Sequence, residues 1–65
     1  MVEPTEADIG RNVIYVPGHA RGDLGHKDCE TGTITSFNQW AVFVRYGMGI
    51  TSAATNREDL YWAHP

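Results

Sequence analysis

The strongest pattern of apolar and polar positions runs from Thr31 to Tyr46, Thr-Gly-Thr-Ile-Thr-Ser-Phe-Asn-Gln-Trp-Ala-Val-Phe-Val-Arg-Tyr. β-branched and aromatic residues fill both halves, and Asn38-Gln39 stand at the reversal, so the stretch predicts a β-hairpin. Its arms are Thr33 to Phe37 and Trp40 to Tyr46. In the second arm a period of two puts Trp40, Val42, Val44 and Tyr46 on one face and Ala41, Phe43 and Arg45 on the other. The first set is the better core face. Phe43 and Arg45 then point outward or toward a long loop.

Further strands flank the hairpin. Asn12 to Val16 is apolar on both faces, as in a strand covered on both sides. Pro17-Gly18 stops it, because proline lacks a backbone donor and glycine permits a turn. Residues 17–30 form a long, Gly-rich polar loop with Ala20 and Leu24 as its inward anchors. Gly47-Met48-Gly49 predicts a tight turn and Ile50 to Thr55 a fourth strand. Asn56 to Leu60 predicts one helical turn, capped by Asn56, with Leu60 inward. Tyr61-Trp62-Ala63 is a short last strand. Residues 1–8, acidic and interrupted by Pro4, read as a flexible tail, and residues 9–65 as one domain.

The predicted order is strand, long loop, strand, turn, strand, turn, strand, helical turn, strand. This order resembles the SH3-like barrel shared by SH3, Tudor and KOW modules, over residues 9–63. The expected fold is therefore all-β, a small five-stranded SH3-like barrel with a long first loop and one short helical turn before the last strand. Such barrels bind peptides, nucleic acids and proteins alike, so the resemblance leaves function open. Where SH3 domains cluster aromatics for polyproline, this chain has Val16-Pro17-Gly18-His19-Ala20. A Tudor-type cage would draw on Trp40, Phe43, Tyr61 and Trp62. A second resemblance lies in Val13-Ile14-Tyr15-Val16-Pro17-Gly18-His19-Ala20, Gly22-Asp23, His26, Asp28-Cys29-Glu30, Gly32 and Val42-Phe43-Val44-Arg45-Tyr46-Gly47. These words are similar to small proteins of tailed phages and prophages. That similarity implies expression in the cytoplasm of an infected or lysogenic bacterium and assigns no residue a role.

Length and charge narrow the partners. A chain of 65 residues buries only about 60% of its unfolded surface, so it packs an efficient core or borrows a staple. Its single cysteine, Cys29, excludes an internal disulfide and agrees with a reducing compartment. The acidic start lacks the apolar run of a secretory leader, and no stretch is long and apolar enough to span a bilayer. The net charge is −3, and the five basic residues, Arg11, Arg21, Lys27, Arg45 and Arg57, are scattered. A phosphate-binding surface has the opposite balance, so a protein partner ranks above nucleic acid.

Candidate chemistry concentrates in the long loop. His19, His26 and Cys29 are zinc-type ligands, with Asp23, Asp28 or His64 as a fourth. Their spacing matches no standard zinc motif, and hydrogen bonds that cap turns explain the same residues. Cys29 beside His26 lacks an orienting third group for nucleophilic catalysis, so no enzyme is expected. Phe43, Arg45 and the loop from Gly18 to Glu30, with His19, Arg21, Asp23 and His26, form the favoured contact surface. Trp62 joins them as an anchor if exposed. The charge-poor edge of Ile50 to Thr55 allows a homodimer by strand pairing.

Overall fold

The computed structural model describes residues 1–63. Over these the protein is all-β, with helical structure limited to 3₁₀ turns at Glu6–Asp8, Gly18–Ala20 and Arg57–Asp59. Five strands, β1 (Asn12–Tyr15), β2 (Glu30–Phe37), β3 (Val42–Tyr46), β4 (Ala53–Thr55) and β5 (Leu60–Trp62), form one antiparallel sheet in the order β4-β3-β2-β1-β5. The expected barrel is not closed: among the described residues β4 and β5 are free edges. No helix among them is long and apolar enough to cross a membrane.

The predicted hairpin is β2 and β3, and its reversal sets where β3 begins. The Asn38 N–H donates to the Ala41 carbonyl (3.0 Å). The Asn38 side-chain oxygen accepts the N–H groups of Trp40 (2.8 Å) and Ala41 (2.9 Å). An Asx turn of this kind takes both residues out of the strand. Trp40, expected on the core face, is therefore 76% exposed. β4 is likewise shorter than expected. Its pairing ends at Val44 opposite Ala53, and the turn after Tyr46 carries Ile50 into solvent. The sheet edge proposed for self-pairing thus shrinks to three residues.

β2 holds the sheet together. Glu30 to Thr33 pair with β1 and Gly32 to Phe37 with β3, so Gly32 and Thr33 are paired on both sides. The β2–β3 register slips between Ile34 and Ser36, leaving Thr35 unpaired. A bulge of this kind bends a strand and increases its twist. The Thr35 hydroxyl donates to the Phe43 carbonyl (3.1 Å) and lies 2.6 Å from Ser52 Oγ, which keeps the bent strand joined to its neighbours.

One face of the sheet carries the core. Val13, Ile34, Val42 and Val44 are buried as the alternation predicts, and Leu60 joins them. Val2 is the unexpected member. The segment 1–8, read as a loose tail, places this side chain at zero exposure within the core cluster. The Val2 N–H donates to the Arg57 carbonyl (3.1 Å). Arg57 in turn donates to the Asn38 carbonyl and stands 3.6 Å from Glu3. Asp8 accepts the Thr5 N–H (2.8 Å) and the Arg11 guanidinium (3.0 Å), and these hold its carboxyl below the usual range. In the loop, Ala20 is buried as expected, but Leu24 is 47% exposed. Asn56 caps the Arg57–Asp59 turn with its carbonyl, not its side chain.

Val2→Ala removes two buried methyl groups, so we expect a loss of about 2 kcal/mol in urea unfolding. Glu3→Ala, which removes only an exposed ion pair, is expected to change stability by less than about 1 kcal/mol.

Candidate functional site

The same alternation that builds the core also builds a cleft at its end. Glu30 and Gly32 lie on the core face of β2, in step with Ile34. Tyr15 pairs with Glu30, and Tyr46 pairs with Gly32, so both rings stand over this end of the sheet. A side chain at position 32 would block that arrangement. A Cβ there would lie 2.8 Å from Tyr46 Cδ1, 2.9 Å from the Arg45 carbonyl and nearer still to Val44 Cγ1. The two tyrosine rings meet edge to face at 6.3 Å and an angle of 71°. Both pack against the core cluster.

The cleft has a volume of about 360 Å³ and is lined by Tyr15, Tyr46, Glu30 and Asp59, with Ala53 and Thr55 from β4. That is space for one side chain or a small ligand. The Tyr46 hydroxyl and Thr55 Oγ1 are hydrogen-bonded (2.9 Å), and the Thr55 hydroxyl also reaches the Ala53 carbonyl (3.3 Å). Among the described residues neither Glu30 nor Asp59 has a basic partner within ion-pair distance. Burial pushes the Tyr46 phenol above its ordinary value; the Thr55 hydrogen bond opposes this, and the charge of Glu30 with the nearby Tyr15 and Asp59 adds to it. The cleft is therefore aromatic on its walls and negative in its field.

The expected contact residues are distributed differently. Phe43 and Arg45 alternate with Val42 and Val44, so they stand on the sheet face away from the cleft. Trp62 packs against the core, and the Arg11 guanidinium lies 4.0 Å over its ring. It is thus already occupied by a cation from its own chain. With Trp62 on the core face, Phe43 and Tyr61 on the other and Trp40 at the hairpin tip, no one face gathers the four rings expected for a cage. Arg21 is exposed and closes the Gly18–Ala20 turn in the left-handed conformation, at φ 52°.

Within the long loop, consecutive turns fold the chain back on itself. N–H groups of Ala20, Asp23, His26 and Cys29 each donate three residues back. They bring His19, His26 and Asp28 together, with one ligand atom from each within 4.8 Å of the others. His19 Nε2 lies 2.6 Å from Asp28 Oδ2, and the two imidazoles meet edge to face at 5.3 Å. Cys29 is not in this group: its thiol donates to the Asp23 carbonyl (3.3 Å). Asp23 is spent on turns, its carboxylate accepting the Gly25 N–H (2.9 Å). His64 lies outside the described residues.

The chain matches no protein-family model, and no curated protein or solved structure is significantly similar to it. The fold and the two side-chain groupings define a small all-β domain with an acidic, tyrosine-walled cleft and a His/Asp loop.

Sequence reading missed the cleft because Tyr15 and Tyr46 look like ordinary strand residues and Glu30 like the end of a loop. The one available signal was Gly32 inside a strand, which marks a close approach. In the folded protein we expect Tyr46 to ionise above 10.0, read from its ring ¹³C shift against pH. The double change Glu30→Gln and Asp59→Asn is expected to lower that titration without removing the shift, since burial is its first cause. The stability tied to this group is complete below the unfolded phenol value and is lost as pH rises through the folded one. Titration of Tyr46 at or below 10.0 would contradict the description of the cleft.

Proposed function

We propose that the protein is a small, non-enzymatic protein-interaction module whose cleft receives a basic side chain of its partner. The observation that carries this reading is the pairing of two tyrosine rings with two carboxylates that lack a basic neighbour among the described residues. An ammonium or guanidinium gains from aromatic faces and from carboxylates at once, and more so where water is partly excluded. Charge complementarity also speeds encounter and rejects acidic competitors. The net charge of −3 acts in the same direction.

The strand order supports an SH3-like reading of the open sheet. A meander of four strands is followed by a 3₁₀ turn and a fifth strand that returns to β1. The bulge at Thr35 supplies the bend that such a barrel needs. We further propose that the partner is a host or phage protein of the bacterial cytoplasm, as the resemblance of residues 13–20 and 42–47 to tailed-phage proteins implies. Nucleic acid is the weaker reading. Arg11 and Arg57 are tied to Asp8 and Glu3, and a negative cleft repels phosphate.

The test is a titration of the ¹⁵N-labelled protein with N-acetyl-arginine amide and N-acetyl-lysine amide. Shifts are expected at Glu30, Tyr46 and Ala53 to Thr55, weakening with salt and reduced at least several-fold by Glu30→Gln with Asp59→Asn. N-acetyl-glutamate amide is expected to leave the spectrum unchanged. Equal shifts with all three amides, or none with the basic pair, would reject the reading. Salt-sensitive binding of an RNA or DNA oligonucleotide, with the basic amides inert, would favour the nucleic-acid alternative.

A further inference from the structure

The His/Asp grouping in the long loop shares no residue with the cleft lining and serves no purpose in the proposed recognition. Its members come from different turns. His19 belongs to the Gly18–Ala20 turn, while His26 and Asp28 precede β2. Folding brings them together across nine residues of chain. Two imidazoles and a carboxylate are a donor set that suits zinc and other first-row divalent cations.

The distances fit that use. Ligands about 2.0–2.2 Å from zinc stand roughly 3.3–3.6 Å apart in a tetrahedron. His19 Nε2 and Asp28 Oδ2 are 2.6 Å apart, and His26 Nδ1 and Asp28 Oδ2 are 4.0 Å apart, so the two separations bracket that range. A small opening of the first pair and closing of the second brings both separations into that range, and all three ligand atoms already lie within 4.8 Å of one another. The side chains of His19 and Asp28 are 63% and 47% exposed, which leaves a route for entry and room for water as the remaining ligand.

We infer that His19, His26 and Asp28 bind a divalent transition cation of the zinc class, with solvent completing its shell and Cys29 outside it. Binding displaces the hydrogen held between His19 and Asp28. At His26 Nδ1 it also exchanges the hydrogen bond from the Asp28 N–H (3.0 Å) for a metal bond. The metal thereby clamps the two ends of the longest loop, a stabilisation open to a small domain with one cysteine. Thiolate ligation is not required, since the Cys29 proton is engaged by the Asp23 carbonyl.

The full chain, purified without an affinity tag and stripped with chelator, tests this directly by calorimetric titration with zinc chloride. One equivalent is expected to bind and to raise the melting temperature. His19→Ala and Asp28→Asn are each expected to weaken binding roughly tenfold or more, and Cys29→Ser to leave it unchanged. Cobalt(II) loading of the parent chain gives a check that needs no variant: visible ligand-field bands without a thiolate charge-transfer band. The absence of zinc binding overturns the site. So does a thiolate band with cobalt, or a loss on Cys29→Ser equal to that on Asp28→Asn.

Discussion

The missing side chain at Gly32 is the constraint on which the arrangement depends. Gly32 is buried near the start of β2, opposite Val13 on one side and Tyr46 on the other. With hydrogen in place of Cβ, Val44 and the Tyr46 ring close over the strand. Val44 thereby seals the core, and Tyr46 becomes a wall of the cleft. A glycine inside a strand ordinarily weakens it by about 0.5–1 kcal/mol relative to alanine. Here that cost is offset by the burial of a whole valine and much of a tyrosine, each worth more.

Core and cleft are two ends of one surface. Along β2 the inward positions run from Ile34, through Gly32, to Glu30, that is from full burial to a charged rim. The neighbouring strands repeat the gradient, from Val13 to Tyr15 and from Val42 and Val44 to Tyr46. Burial therefore falls off toward the end where the carboxylates stand, and Tyr46 lies at the boundary. Its raised phenol value reports both conditions at once, partial desolvation and a negative field. The bulge at Thr35 bends the opposite end of β2, and Val2 enters the core from outside the sheet.

The strands were legible in the sequence wherever one face was buried. The inward set Val13, Ile34, Val42, Val44 and Leu60 follows from alternation and a single helical turn, and all five are buried. Errors arose where local hydrogen bonding outweighs pattern. The Asn38 side chain claims the amides of Trp40 and Ala41, so an apolar pattern that ran through Trp40 overshot the strand. Ile50 has high strand propensity but no partner strand in register. Val2 was invisible because its burial depends on where Arg57 lies, 55 positions away in a chain of 65. The loop grouping was partly legible. Both histidines were identified and Asp28 stood among the possible further ligands, but side-chain direction in successive turns selects Asp28 over Cys29, and spacing alone does not encode that choice.

The measurement that tests the central claim most directly is the urea unfolding of Gly32→Ala. Alanine has the higher strand propensity and loses less chain entropy on folding, so propensity alone predicts a variant as stable as the parent or more so. The close approach of Val44, Tyr46 and the Arg45 carbonyl predicts the reverse, a loss of about 1–3 kcal/mol from overpacking. A Gly32→Ala protein with an unchanged or higher urea midpoint would mean that β3 does not lie so close to β2, and the common origin of core and cleft would fall with it.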